Sequence, residues 1–317
     1  MKKIFLILIT ILMAGLQSYA TELQTPTDNI ALLTQKGFFN ATRPSSSLNP
    51  CDEIRRTFST HLKYSNNYEF ENLKNLYAST YINADGLNRD IYFDLVKKTW
   101  ESYPDIKYRM EIKNIEINDN IAAVQIHEIA SATTDSKSGV VDEKGCLESV
   151  SDGVYYLEKI NNQWLVTSDY ILFEKTSLRY GAAKELDINL IAPIQISANT
   201  PYTTTLKINP PKDSFIIASI GHENITYPQS IAEEVFRKLP EDGILERVTK
   251  SNNKNLNEYA VASFGITKAE IKNGREIKIY VTGIGFIMNR VNVIPKKEDV
   301  KLDIKNNTKV SKNGETK

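Results

Sequence analysis

Between residues 52 and 103 the apolar positions recur at the three- and four-residue spacing of helices, and after Pro104 they recur at every second residue. Ile54, Phe58, His61 and Leu62 predict a first amphipathic helix, and Phe70, Leu73, Leu76 and Tyr77 predict a shorter second one. Asn83-Ala84-Asp85-Gly86 reads as a turn. Asn88 then caps a third helix carrying Ile91, Leu95 and Val96. Beyond Pro104, Tyr108, Met110 and Ile112 alternate as in a strand. The phase slips before Ile115 and Ile117, which predicts a bulge near Lys113-Asn114. A second strand is expected from Ile121 to Ala130, a polar loop over 134–151, and a hairpin of Val154–Ile160 with Gln163–Phe173 about an Asn161-Asn162 turn. Three helices followed by antiparallel strands predict an α+β layer, with the helices on one face of a curved sheet.

From residue 185 the runs become short: 188–191, 202–208, 215–220, 259–266, 276–281 and 285–294, separated by Ala-Pro, Asn-Thr-Pro and Lys-Asn-Gly turns. That spacing predicts an all-β sandwich over residues 185–296. One helix is expected inside it. Ser230-Ile231-Ala232-Glu233 reads as a capping box, with Ile231, Val235, Phe236 and Leu239 on one face before Pro240. The ends of the chain read differently. Lys2 and Lys3, the apolar run Ile4–Leu16 and Ser18-Tyr19-Ala20 form a secretory signal over residues 1–20, so the protein is expected to be exported, periplasmic or secreted. Residues 21–50 read as a polar arm, 51–180 as the first domain and 297–317 as a disordered, lysine-rich tail.

Lysine plus arginine and aspartate plus glutamate both number 39, and losing Lys2 and Lys3 with the leader leaves the mature chain close to neutral. That balance makes no electrostatic case for nucleic acid. Export does bear on Cys51 and Cys146. An even pair in an oxidising compartment is expected to bridge, and closing so long a loop would contribute about 4–5 kcal/mol in the chain-entropy model. His61, His127 and His222 are scattered, so no metal is expected, and no cofactor motif is present. Gly283-Ile284-Gly285 lacks the context of a phosphate loop and reads as a strand kink.

The strand parities supply the candidate chemistry. Trp164, Val166, Ser168, Tyr170 and Leu172 share one parity of the last hairpin strand, and Ala122, Val124, Ile126 and Glu128 share one parity of an earlier strand. Turned inward, they give an aromatic pocket with Trp164, Glu128, Ser168 and Tyr170 as its candidate site residues. In apolar surroundings the Glu128 carboxyl would have a raised pKa. The opposite parity offers Gln125, His127, Thr167 and Asp169, in which His127 and Asp169 could act as base and orienter. The pattern alone leaves open which face is inside.

Leu76-Tyr77-Ala78-Ser79-Thr80-Tyr81-Ile82 and Asn161-Asn162-Gln163-Trp164-Leu165-Val166-Thr167-Ser168-Asp169-Tyr170 carry a resemblance over residues 52–178. In these stretches the chain resembles the nuclear-transport-factor-two-like superfamily, the cone-shaped α+β fold of ketosteroid isomerases and scytalone dehydratase. The resemblance implies a concave sheet face able to hold a small molecule, and a sheet through which two copies can pair. It does not specify activity, because this fold hosts enzymes, binding modules and assembly domains alike. Residues 185–296 are similar in pattern, more weakly, to immunoglobulin-like domains. Without a convergent catalytic set, the expected function is an exported, non-enzymatic module that binds a small ligand or an envelope protein. The alternative is an isomerase, dehydratase or hydrolase acting in the cone pocket.

Overall fold

The computed structural model describes residues 49–229, 234–272 and 276–296. The expected signal, nearly all of the polar arm, the capping box and the tail lie outside the described residues. Helix α1 (Pro50–Asn66) begins where the Asn49 side chain accepts the Cys51 N–H and Pro50 occupies the first turn. Helix α2 (Phe70–Lys74) is shorter than its apolar spacing predicts, because Tyr77 leaves the helix to bridge Val166. Helix α3 (Arg89–Ser102) starts at Asn88, whose side chain accepts the Ile91 N–H at 3.0 Å, as the sequence predicts.

Four long strands follow: β1 (Lys107–Asn118), β2 (Ile121–Lys137), β3 (Lys144–Ile160) and β4 (Gln163–Gly181), joined in order as an antiparallel meander. The β1–β2 register slips between Ile112 and Asn114, at the expected bulge. Asn161 and Asn162 both take positive φ in the β3–β4 turn, as a two-residue hairpin requires. The predicted polar loop over 134–151 is mostly strand, with β2 running on to Lys137 and β3 starting at Lys144. These residues are polar because one face of the ribbon meets solvent, and polarity alone does not break a strand.

Cys51 and Cys146 do not bridge; both thiols are free. Cys51 lies near Glu53, whose carboxylate accepts from Lys159 Nζ (2.5 Å) and Trp164 Nε1 (3.0 Å) beside the β3–β4 turn. Cys146 lies at the other end of β3, and at about 3.3 Å per residue about 40 Å of strand separates it from Lys159. A disulfide needs α-carbons within about 7 Å.

After a 3-10 turn (Ala182–Glu185) come β5 (Ile188–Ile191), β6 (Gln195–Ser197), β7 (Pro201–Ile208), β8 (Ser214–Asn224), β9 (Arg237–Lys238), β10 (Ile244–Lys250), β11 (Glu258–Lys272) and β12 (Glu276–Ile294). The first sheet does not stop at the expected boundary. β12 pairs with β4 from Asn289↔Lys175 to Gly283↔Gly181, so the order runs β1-β2-β3-β4-β12-β11-β8-β9. A smaller sheet, β10-β7-β5, packs on it through Leu190, Leu206 and Ile208 against Ile216, Ala218, Ile266 and Ile287. Two sheet layers are therefore present here, one of them continuous with the cone. The helix expected over 230–239 is absent from its described part. Arg237 and Lys238 instead pair with Ala218 and Ile217 on the edge of β8.

Three apolar clusters result. One lies under the helices (Ile54, Phe58, Tyr77, Phe93, Trp164, Val166), and one lies between the two later sheets. The third joins them, uniting Leu95, Tyr103, Leu147 and Leu178 with Tyr259, Val261, Phe286 and Met288.

Candidate functional site

The concave face of the cone holds a cavity of about 230 Å³. Ile126 and Glu128 of β2, Gly153 and Tyr155 of β3, and Asp169, Tyr170 and Glu174 of β4 form its floor. Tyr92, Leu95, Val96 and Thr99 of α3 cover it, and Tyr103, Tyr108, Asp85 and Tyr259 complete the wall. Tyr259 comes from β11, so the later strands help to build the cone's site.

Two bulges decide what faces this cavity. Opposite β3, the register slips once between Tyr156 and Leu157, leaving Thr167 extra on β4. It slips again between Asp152 and Gly153, leaving Leu172 extra. Each inserted residue turns the following side chains to the other face. Trp164 and Val166 point inward, Asp169 takes over after the first bulge, and Glu174, Thr176, Leu178 and Tyr180 follow after the second. The regular alternation expected from Trp164 to Leu172 is thus broken. Leu172 is exposed, and Ser168 is half-buried and does not line the cavity.

The expected site residues divide accordingly. Glu128 and Tyr170 line the cavity, with Glu128 on the inward parity of β2 beside Ala122, Val124 and Ile126. Trp164 is buried in the packed cluster, tied to Glu53. The His127–Asp169 pair does not form. His127 lies on the outer face and its Nδ1 meets Asp152 Oδ1 at 2.8 Å, while Asp169 accepts a hydrogen bond from Tyr81. Gln125 is exposed, and Thr167 donates to the Tyr156 carbonyl.

Electrostatics set the carboxyls apart. Burial pushes Glu128 up to about 7, and the nearby Asp169 and Glu174 charges add to the shift. Burial also raises Asp169 to about 6, against the opposing Tyr81 hydrogen bond and Arg290 charge. Glu174 is raised by burial, with Arg290 and the Tyr259 hydroxyl (3.0 Å) opposing. Arg290 of β12 is 2% exposed and pairs with Asp85 at 2.6 Å, and Asn257 donates to the same carboxylate at 2.8 Å. Tyr81, Asp85, Glu174, Tyr259 and Arg290 were missed by parity reasoning. The signal for the last was an arginine between asparagines in the otherwise apolar run Phe286–Ile294. Among the described residues no group of three histidines, cysteines, aspartates or glutamates is placed to hold a metal, and no helix is long and apolar enough to cross a membrane.

The fold and site define an α+β cone whose sheet is prolonged by a second β region. Part of the chain is similar to solved structures. A conserved protein from Planctomyces limnophilus is 14% identical, covering 38% of this chain and 94% of that one, with a TM-score of 0.33. A nuclear transport factor 2-like superfamily protein from Salmonella enterica serovar Typhimurium is 12% identical over 38% and 87%, with a TM-score of 0.31. Bd1075 from Bdellovibrio bacteriovorus is 12% identical over 38% of this chain, with a TM-score of 0.32, and only 39% of its own length is spanned. No protein-family model and no curated protein matches the chain.

Proposed function

We propose that this chain is an exported protein that binds a small, largely apolar molecule in the cone cavity, with Glu128 meeting the ligand's polar end. The cavity itself supports this most directly. Trp164, the residue large enough to fill the cone, packs at the other end and leaves about 230 Å³ open beside a carboxyl. Export rests on the basic and apolar pattern of residues 1–20. The face-to-face sheets after β4 are read as an immunoglobulin-like sandwich that buttresses the site through Tyr259 and Arg290. The test is titration with the neutral fluorophore 1-N-phenylnaphthylamine. Saturable one-to-one binding is expected, lost in Ala130→Phe, which fills the cavity wall. Unsaturable binding, or binding that Ala130→Phe leaves unchanged, rejects the reading.

A second reading, proton transfer on the bound molecule, is favoured by the Glu128 carboxyl standing near neutrality, where a general acid or base works best. It requires deuterium exchange α to the carbonyl of 2-tetralone to be faster with the protein than with Glu128→Gln. Equal rates leave a binding protein.

A further inference from the structure

The lining of the cavity is unbalanced in charge. Four carboxyl side chains reach it, Asp85, Glu128, Asp169 and Glu174, and no lysine, arginine or histidine lines it among the described residues. Arg290 lies behind the wall and is held by Asp85. Asp169 accepts from Tyr81 and Glu174 from Tyr259, and Arg290, already paired with Asp85, offsets their charge only from behind the wall. Glu128 accepts no protein hydrogen bond among those formed by the described residues. It faces Tyr92 from α3, Tyr108 from β1, Tyr155 from β3, and Asp169 and Glu174 from β4.

Two observations point to a ligand. Tyr92, Tyr103, Tyr108, Tyr155 and Tyr259 line the cavity, so aromatic rings surround the carboxyls. The Glu128 carboxyl stands in the cavity wall with no hydrogen-bond partner among the described residues. A carboxyl without a partner is costly unless something in the cavity satisfies it. Rings attract cations through their faces, and carboxylates attract them by charge and accept their N–H groups.

We propose that the cavity selects a small organic cation, a protonated amine on an apolar body, over neutral or anionic molecules of the same shape. This inference rests on the cavity being a ligand site, and it names the chemical class of that ligand. A metal ion would not account for the site, since the acids are not grouped to coordinate one and most of the wall is apolar or aromatic.

The experiment compares phenethylammonium, phenethyl alcohol and 3-phenylpropanoate at pH 7.5 by calorimetry and by displacement of 1-N-phenylnaphthylamine. The ammonium ion is expected to bind at least about tenfold tighter than the alcohol, and the carboxylate weakest. Glu128→Gln should erase most of the preference, with cooperative urea unfolding of the variant checking that it is folded. Equal affinity for alcohol and ammonium, or a preference unchanged in Glu128→Gln, overturns the cation claim and leaves the ligand site standing. Failure of the dye and all three probes in the native protein overturns both.

Discussion

Beside the β3–β4 turn, Ala122, Val124, Leu157, Trp164 and Val166 meet α1 and α2 in a filled core, whereas further along the same strands Glu128, Asp169 and Glu174 face open space. The strands are continuous between the two ends, so the strand pattern does not separate them. What differs is the cover. Helices α1 and α2 bring Ile54, Phe58 and Leu73 down onto the first end, and Tyr77 joins them from its bridge to Val166. The second end is roofed by α3 alone and walled by a tyrosine of β11, and two bulges on β4 deliver carboxyls to it. A cone thus becomes a container where its sheet outruns its helices.

The largest expected effect lies at the filled end. Trp164→Ala should cost about 3–5 kcal/mol in urea unfolding, since the ring is buried and its indole N–H is bonded. If the loss is small but dye binding disappears, Trp164 belongs to the site and the contrast between the ends collapses. At the open end, Arg290→Met should cost about 3 kcal/mol at pH 7.5, because Asp85 would remain buried without its cation. The cost should shrink at pH 4, where Asp169, raised to about 6, is protonated and no longer draws on the Arg290 charge. A loss independent of pH would assign Arg290 to packing alone.

A smaller effect follows from the raised carboxyls. Glu128 at about 7 and Asp169 at about 6 both exceed their unfolded values, so the folded state holds more protons than the unfolded state between about pH 4 and 7. Their contribution to stability is fully present below about pH 4 and is lost as pH rises through 6 and 7. Glu128→Gln should flatten that fall. A native protein whose stability rises through this window would contradict the placement of the two acids. The smallest effect belongs to the cysteines. Cys51→Ser should change stability by less than about 0.5 kcal/mol, and two thiols should label per unfolded, unreduced chain. A cost of several kcal/mol with no labelling would restore the bridge.

Much of the first region was legible in its sequence because local physics specified it. The Asn88 cap, the slip at Lys113-Asn114 and the positive-φ asparagines each act within a few residues. On β2 the alternation marked Ala122, Val124, Ile126 and Glu128 as one face but left its direction open, and the structure turns that face inward. The parity of β4 was misread because neither Thr167 nor Leu172 announces a bulge. Those bulges depend on the register with β3, which is a tertiary choice. Asp85, Tyr259 and Arg290 were out of reach for the same reason, since they meet across about 200 residues of chain once β12 joins β4. The cysteines failed differently. Compartment and count argued for a bridge, and only the length of β3 shows that the ends cannot meet.

The contrast between the two ends can be measured with one paired substitution on a single strand. Ala122 and Ala130 share β2 and its inward parity, the first within the packed cluster and the second on the cavity wall. In equilibrium urea unfolding, Ala122→Phe should cost about 1–3 kcal/mol by overpacking, and Ala130→Phe should stay within about 0.5 kcal/mol of the native protein by entering open space. Equal losses at the two positions would mean that the cone is filled along its whole length and holds no ligand site.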